Sequence, residues 1–439
     1  MTGGPTVTLA KQAVRWGVTH AIPRTALRAA ARKGDLQARL FIESAQIPTL
    51  GLTGLFDEIH GREPVVRGQY SYLVSRHPIV REVLTSQDVR AGVDRVDGVF
   101  GTLGRWAASD HLHPIEPPSL LATEPPDHTR YRKLVTRVFT ARAVERLRER
   151  TEEIAAELLD RMAERADRGE PVDLVESYCS LLPVTVIAEI LGVPSHERDT
   201  VLRLGTAAAP SLDMGMPWRQ FRETDSALQE FDEWLGGHLA ALRAEPGDNL
   251  LSQLVAARED GVGLDDKELR ATAGLVLAAG FETTVNLLGN GVALLRDHPE
   301  QLDKVRQDAS LWPGAVDEML RVDPPVLLTG RTVVRDTEFA GTPVRAGSVV
   351  TTLLAGANRD PAVFDDPHTF DVTRPNSREH ISFSSGRHYC LGAALARMEG
   401  EVGLRALFDR FPDLTLLPGA QHRPTRILRG YERLPARLS

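Results

Sequence analysis

Cysteine is nearly absent from this chain: 439 residues include two. That excludes a disulfide framework and fits a reducing compartment. A zinc site wants about four nitrogen or sulfur ligands in one cluster. Cys390 and Cys179 lie far apart, and Cys179 sits in an apolar helical stretch with Leu181, Leu182 and Val184. Zinc is therefore disfavoured. Positive charge is also short, with 52 Lys and Arg against 60 Asp and Glu and a net charge of −8. That balance argues against general nucleic-acid binding. Long apolar runs are missing too. The longest, residues 271–281 with one threonine inside, falls below the ~18 residues a spanning helix needs. Residues 1–40 carry no secretory apolar core. These absences predict a soluble, cytoplasmic protein without a transmembrane segment. No internal repeat or low-complexity tract is present. Hydrophobic residues make up 42 %, enough for a substantial core. The length suits either two or three domains, roughly, or one large helical fold.

What is present centres on one stretch, Phe383 to Glu399. It places Cys390 at the mouth of a helix whose apolar face runs through Leu391, Leu395, Met398, Val402 and Ala406. Gly386 permits a turn that a side chain would hinder. Gly392 removes bulk where something flat could lie close. The positive end of the helix and its free N–H groups favour a thiolate. A lone thiolate also suits haem, which needs a single axial cysteine. The stretch resembles the haem-binding loop of the cytochromes P450. The match falls on Phe383, Gly386, His388, Cys390, Gly392, Ala396, Arg397 and Glu399, and Ser384 stands where glycine is more usual.

The resemblance runs from about residue 40 to the end. It implies a mainly α fold with small β-sheets (α+β), triangular in outline. Residues 1–40 are expected as a basic extension and 41–439 as a single haem domain. It implies haem b on Cys390, dioxygen as co-substrate, and electrons from ferredoxin and ferredoxin reductase. It implies hydroxylation or epoxidation of a lipophilic small molecule such as a lipid, steroid or polyketide. Two other readings stay open: a thiolate-haem sensor and a peroxide-driven haem enzyme. Neither needs a proton relay.

Further stretches bear on that choice. Residues 265–296 read as the longest helix, with Ala279 and Gly280 making a hollow before Glu282 and Thr283. A threonine hydroxyl can bond the carbonyl four residues back, here Ala279, and such bonds bend helices. The family motif at this place implies a catalytic role for Ala279, Gly280, Glu282 and Thr283, with room for dioxygen and a proton supply.

His128 and Arg132 share one helical face by their spacing. The face is either a solvated basic one or, by resemblance, a site for a haem propionate. Arg331 and His388 are implied in the same task. Arg130 and Lys133, on another face, are candidates for electron-donor docking. Glu318, Arg321 and Arg374 are implied as structural partners. Phe281, Val326, Leu327, Leu328 and Ile427 are expected to line an apolar substrate pocket. Residues 88–122 would roof it and residues 198–243 would form its lid. Arg90, Arg95 and Arg105 in the roof could reach a carboxylate.

Residues 1–40 hold Lys11, Arg15, Arg24, Arg28, Arg32, Lys33 and Arg39 against one acid, Asp35. Either they form a solvated helix packed on the body, or a basic amphipathic segment that touches a membrane surface. Residues 68–74 alternate like a strand.

Overall fold

The computed structural model describes residues 5–92, 102–104, 106–109, 111–138, 145–258 and 261–438. Arg95 and Arg105 lie outside them. The chain opens with helices α1 (Pro5–Trp16) and α2 (Ile22–Ala31), joined by a wide helical turn at Gly17–Ala21. Helix α3 (Leu36–Glu43) starts where the Asp35 carboxylate accepts from Ala38 N–H at 2.8 Å. Its Leu36, Leu40 and Phe41 are buried with Leu55, Phe56 and Leu353. The expected boundary at residue 40 therefore falls inside a core helix.

Helices α4 (Thr53–His60) and α5 (His77–Thr85) bracket strands β1 (Val66–Arg67) and β2 (Tyr72–Val74). The strand expected over 68–74 is shorter. Gly68 N–H donates to Ser71 at 2.8 Å, so residues 68–71 turn the chain between two short antiparallel strands. Strand β3 is Val89–Ala91. Helices α6 (Asp127–Val138), α7 (Arg148–Asp167), α8 (Leu181–Ile190), α9 (Arg198–Ala208), α10 (Trp218–Ala244) and α11 (Leu250–Ala256) follow, with β4 (Val172–Asp173) before α8.

The centre is α12 (Asp266–Asp297). Its start is a capping box: Asp265 accepts from Glu268 N–H, and the Glu268 carboxylate accepts from Asp265 N–H. From Thr284 to Leu295 every residue is buried, the mark of a helix walled on all sides. By length and composition α12 could cross a membrane, yet it packs against α8, α9, α10, α14 (Trp312–Val322) and α15 (Ala393–Arg410) as the hub of the core. Between α12 and α14 runs α13 (Pro299–Gln307).

The β side holds β5 (Leu328–Val333), β6 (Thr337–Phe339), β7 (Thr342–Val344) and β8 (Val349–Leu353). One five-stranded sheet runs β1-β2-β8-β5-β3, with β2 and β8 parallel. After α15 come β9 (Thr415–Leu416), β10 (Gln421–His422), β11 (Tyr431–Arg433) and β12 (Pro435–Arg437). The fold is mainly helical with small sheets, as expected.

Helix α14 carries a sealed ion pair. Glu318 and Arg321 are both 0 % exposed, and the carboxylate takes two guanidinium bonds at 2.7 and 2.8 Å. Arg374 adds a third at 3.1 Å. Arg321 also donates to the carbonyls of Asn358, Pro367 and Thr369, tying α14 to the chain that leads to Cys390. Removing the carboxylate strands a buried cation, which costs about 3–5 kcal/mol. Glu318→Ala is expected to lose that much in urea unfolding and to retain little haem. A loss below about 0.5 kcal/mol, the range of ordinary surface changes, would show the pair to be idle.

Candidate active site

The loop from Phe383 to Cys390 closes on itself: Cys390 N–H donates to the Phe383 carbonyl at 2.9 Å. Gly386 has φ +69°, and a Cβ there would come within 2.6 Å of the Leu84 carbonyl oxygen. Ser384, where glycine is usual, also has φ +62°. It holds a conformation that costs an L-residue about 1–2 kcal/mol.

Two acids, Asp317 buried and Glu124 half-buried, fasten the loop from outside. Asp317, 0 % exposed, takes Arg397 at 2.6 Å, His380 at 3.1 Å and Arg378 at 3.1 Å. Arg397 in turn covers the Phe383 ring at 4.6 Å. Glu124 takes His388 at 3.0 Å, Arg387 at 2.8 Å and Ala91 N–H at 2.6 Å. Burial alone would push Glu124 up, but the His388 and Ala91 hydrogen bonds and the His388 and Arg387 charges hold it at about 2.

The Cys390 residue is exposed, and a Cβ on Gly392 would meet nothing within 4 Å. The head of α15 thus has an open side where a flat group fits. The thiol does not ionise readily by itself. Although one side of the residue is open, the protein packed around the sulfur pushes the thiol up, and the Gly392 N–H, Arg132 and Arg397 only partly offset this. The help expected from the helix end is outweighed by desolvation, and a metal cation on sulfur would favour the thiolate.

Cationic groups near the loop lack counter-ions. Arg331 is 4 % exposed and makes no ion pair among the described residues. It donates to Thr329 Oγ1 and the Gly330 carbonyl, and burial lowers it to about 10. Arg132 also makes no ion pair there and lies within electrostatic reach of Cys390. His128 is buried with Nε2 unpartnered, its ring 4.5 Å from that of His388. Burial and the neighbouring His388 charge lower it to about 4, so it is neutral at pH 7. Two desolvated guanidiniums and an orphaned imidazole fit an anionic group such as a pair of propionates. On α12, Leu275, Ala279 and Thr283 recur every four residues and stay half-exposed, while Leu277, Phe281 and Val285 are buried. The hub helix therefore turns one face to an interior space.

Comparison with known proteins agrees with this geometry. The family description "Cytochrome P450" matches residues 210–428. The Mycobacterium tuberculosis protein named cytochrome P450 140 is 50 % identical over 433 residues, covering 98 % of each chain. The chain belongs to the cytochrome P450 family. It is also 42 % identical to 6-deoxyerythronolide B hydroxylase of Saccharopolyspora erythraea over 320 residues, covering 72 % of this chain and 77 % of that one. The solved structure of the Bacillus subtilis polyketide synthase cytochrome P450 PksS superposes with a TM-score of 0.78 at 33 % identity, covering 89 % of this chain and 97 % of that one. Cytochromes P450 are monooxygenases that hold haem b through a cysteine thiolate.

In this cytochrome P450 several expected positions move. Gly280 is not part of the hollow: a Cβ there would meet Ile187 of α8 at 3.3 Å, so it lets two helices approach. Phe281 is 1 % exposed and packs on Gly205 of α9, about 200° round the helix from Ala279. Leu327 and Leu328 are buried in the core around Phe56 and Leu353. Val326 and Ile427 remain half-buried. None of these five lines the cleft found. That cleft lies between α9, α10, α12 and the roof residues Leu112, His113 and Pro114. Ala208, Leu212, Leu228, Phe231, Leu235 and Leu275 make it apolar, and Ala279 also lines it. Its one described ion pair is Asp232–Arg270 at 3.3 Å.

His388 is engaged by Glu124, so that nitrogen is not spare for a propionate. Arg130 is not a docking cation. It binds Glu268 with 2.6 and 3.1 Å bonds and clamps α6 to the start of α12, while Lys133 stays exposed. Thr283 does bond Ala279 O, at 3.0 Å.

Sequence reading missed Arg423. It leaves the β10–β11 hairpin and pairs with Glu282 at 2.9 Å. Glu282 is 2 % exposed, its second oxygen has no partner, and burial raises its pKa against the pull of Arg423. Only a buried acid inviting a counter-ion could have signalled it.

Proposed function

We propose that this cytochrome P450 takes electrons from a ferredoxin and its reductase in the cytoplasm. It oxygenates a lipophilic small molecule such as a lipid, steroid or polyketide. Residues from α3 onward act as one haem domain. The observation that carries the substrate class is the cleft: apolar along most of its wall, charged only at Asp232 and Arg270, and lined by Ala279 of α12. Relatives named as a vitamin D(3) 25-hydroxylase, a 6-deoxyerythronolide B hydroxylase and a polyketide biosynthesis cytochrome P450, 39–42 % identical, support it.

Haem b on Cys390 supplies dioxygen activation, with the thiolate favouring O–O cleavage. The chain supplies position and protons. Arg132, Arg331 and His128 would hold the propionates. The Thr283 hydroxyl spends its hydrogen on Ala279 O, so its lone pairs face outward as acceptors for a water. Glu282, held toward its protonated form by burial, supplies that water with protons. Arg423, 16 % exposed at its side chain, links Glu282 to solvent.

The test is a titration of the oxidised holoenzyme with fatty acids, sterols, terpenes and macrolides, reading the Soret shift. One class is expected to give a saturable shift and to be turned over with ferredoxin and reductase. Shifts confined to small polar ligands would overturn the substrate class. Turnover sustained by peroxide, with none from ferredoxin, would overturn the electron source.

A further inference from the structure

The first two helices form a strap over the lid. Trp16 Nε1 donates to the Met216 carbonyl at 2.9 Å, and its ring meets Trp218 of α10 edge-on at 5.6 Å. Gln12 donates to Asp225 at 2.8 Å, and Arg15 pairs with the same carboxylate. His111 reaches Asp225 at 3.1 Å. One carboxylate on α10 thus gathers the strap, the lid and the roof, and His113 beside His111 lines the cleft. The strap is fixed at the rim of the substrate cleft.

Its outward side carries unbalanced charge. Residues 5–34 contain six Lys and Arg and no Asp or Glu, in a chain of net charge −8. Arg15 faces inward. Arg28, Arg32 and Lys33 are exposed, and their side chains make no ion pair among the described residues. Ile22 opens α2, which carries Arg28 and ends just before Arg32 and Lys33, and it is 49 % exposed. On α1, Lys11 lies 6.0 Å from the ring of Trp106, which is itself 49 % exposed. Leu9 and Leu103 are 47 % and 39 % exposed. Solvated helix faces carry charges of both signs. This one carries a single sign beside exposed apolar and indole side chains.

We propose that the outer face of α2, with Lys11, Ile22 and Trp106, docks on an anionic lipid surface. Cations would meet the headgroups while Ile22 and Trp106 enter the interface. An acidic protein would satisfy the cations but leave the apolar side chains wet, so lipid is the better occupant. The surface is independent of the substrate reading, although docking would set the cleft rim against the bilayer.

The test uses the holoenzyme and extruded phosphatidylcholine vesicles, plain or with about a third phosphatidylglycerol, in a sedimentation assay. Binding to anionic vesicles at low salt is expected, with loss as salt rises to about 1 M. The triple variant Arg28→Gln, Arg32→Gln, Lys33→Gln should partition about a hundredfold less, at roughly 1 kcal/mol per charge. Ile22→Ser with Trp106→Ser should weaken binding and leave its salt dependence intact. An unchanged thiolate CO spectrum in each variant shows the fold is kept. No binding to anionic vesicles, equal binding to plain ones, or an unaltered triple variant would overturn the proposal. Capture by an acidic carrier protein but not by vesicles would also overturn it and give the surface to a protein.

Discussion

Cys390→Ser is expected to abolish the thiolate-type CO spectrum and to take dioxygen-dependent turnover below detection. The reason is chemical. A serine hydroxyl does not become an anionic ligand at neutral pH, so the electron push that favours O–O cleavage is lost. The other cysteine cannot substitute. Cys179 is 0 % exposed in the helical core, and burial pushes its thiol to about 12. The loop itself should survive, because it is closed by the Cys390 N–H on Phe383 O and tied by Asp317 and Glu124, none of which uses the sulfur. Circular dichroism and urea melting should therefore stay near wild type. A retained thiolate CO spectrum would remove Cys390 as the ligand.

Glu282→Gln carries the second large effect. Glutamine keeps the shape and can still accept from Arg423, but it has no acidic proton to pass on. Positioned acid–base groups contribute about 10²–10⁴-fold. Product formation should fall by roughly that factor. Haem content and the CO spectrum should hold, and reducing equivalents should leave as peroxide. Product rates within about threefold of wild type, with unchanged peroxide yield, would mean the proton comes by another route. The burial that raises Glu282 makes this variant mild for the fold: the neutral side chain is easier to bury than the carboxylate it replaces.

The cysteine loop was legible because its geometry is local. Turn, ligand and helix start lie within ten residues of chain, and one backbone hydrogen bond closes them. Helix α12 was legible by composition, and the bond from Thr283 to Ala279 by its spacing of four. Faces were harder. A helix advances 100° per residue, so neighbours such as Ala279, Gly280 and Phe281 point to three different places. Composition does not say which face is inward. Gly280 reads as a hollow until Ile187 is seen against it, and Phe281 as a pocket wall until Gly205 is. Leu327 and Leu328 were expected in the pocket from the resemblance, as residues just before Arg331, and from their apolarity, which marks core residues equally well.

Partners across the chain were not legible. Glu124, Asp317 and Arg423 each act on residues more than 60 positions away. An isolated acid or arginine carries no sign of its counterpart, since surface charges of the same types are everywhere in this chain.

The sequence by itself determined the family, the cysteine loop and the hub helix. Each rests on near neighbours in the chain, where backbone geometry leaves few choices. Tertiary structure alone decided which side of α12 faces the cleft, which acids fasten the cysteine loop and which base meets Glu282. It also decided that the basic first helices lie on the lid. Those are matters of burial, and burial depends on what the rest of the chain brings alongside.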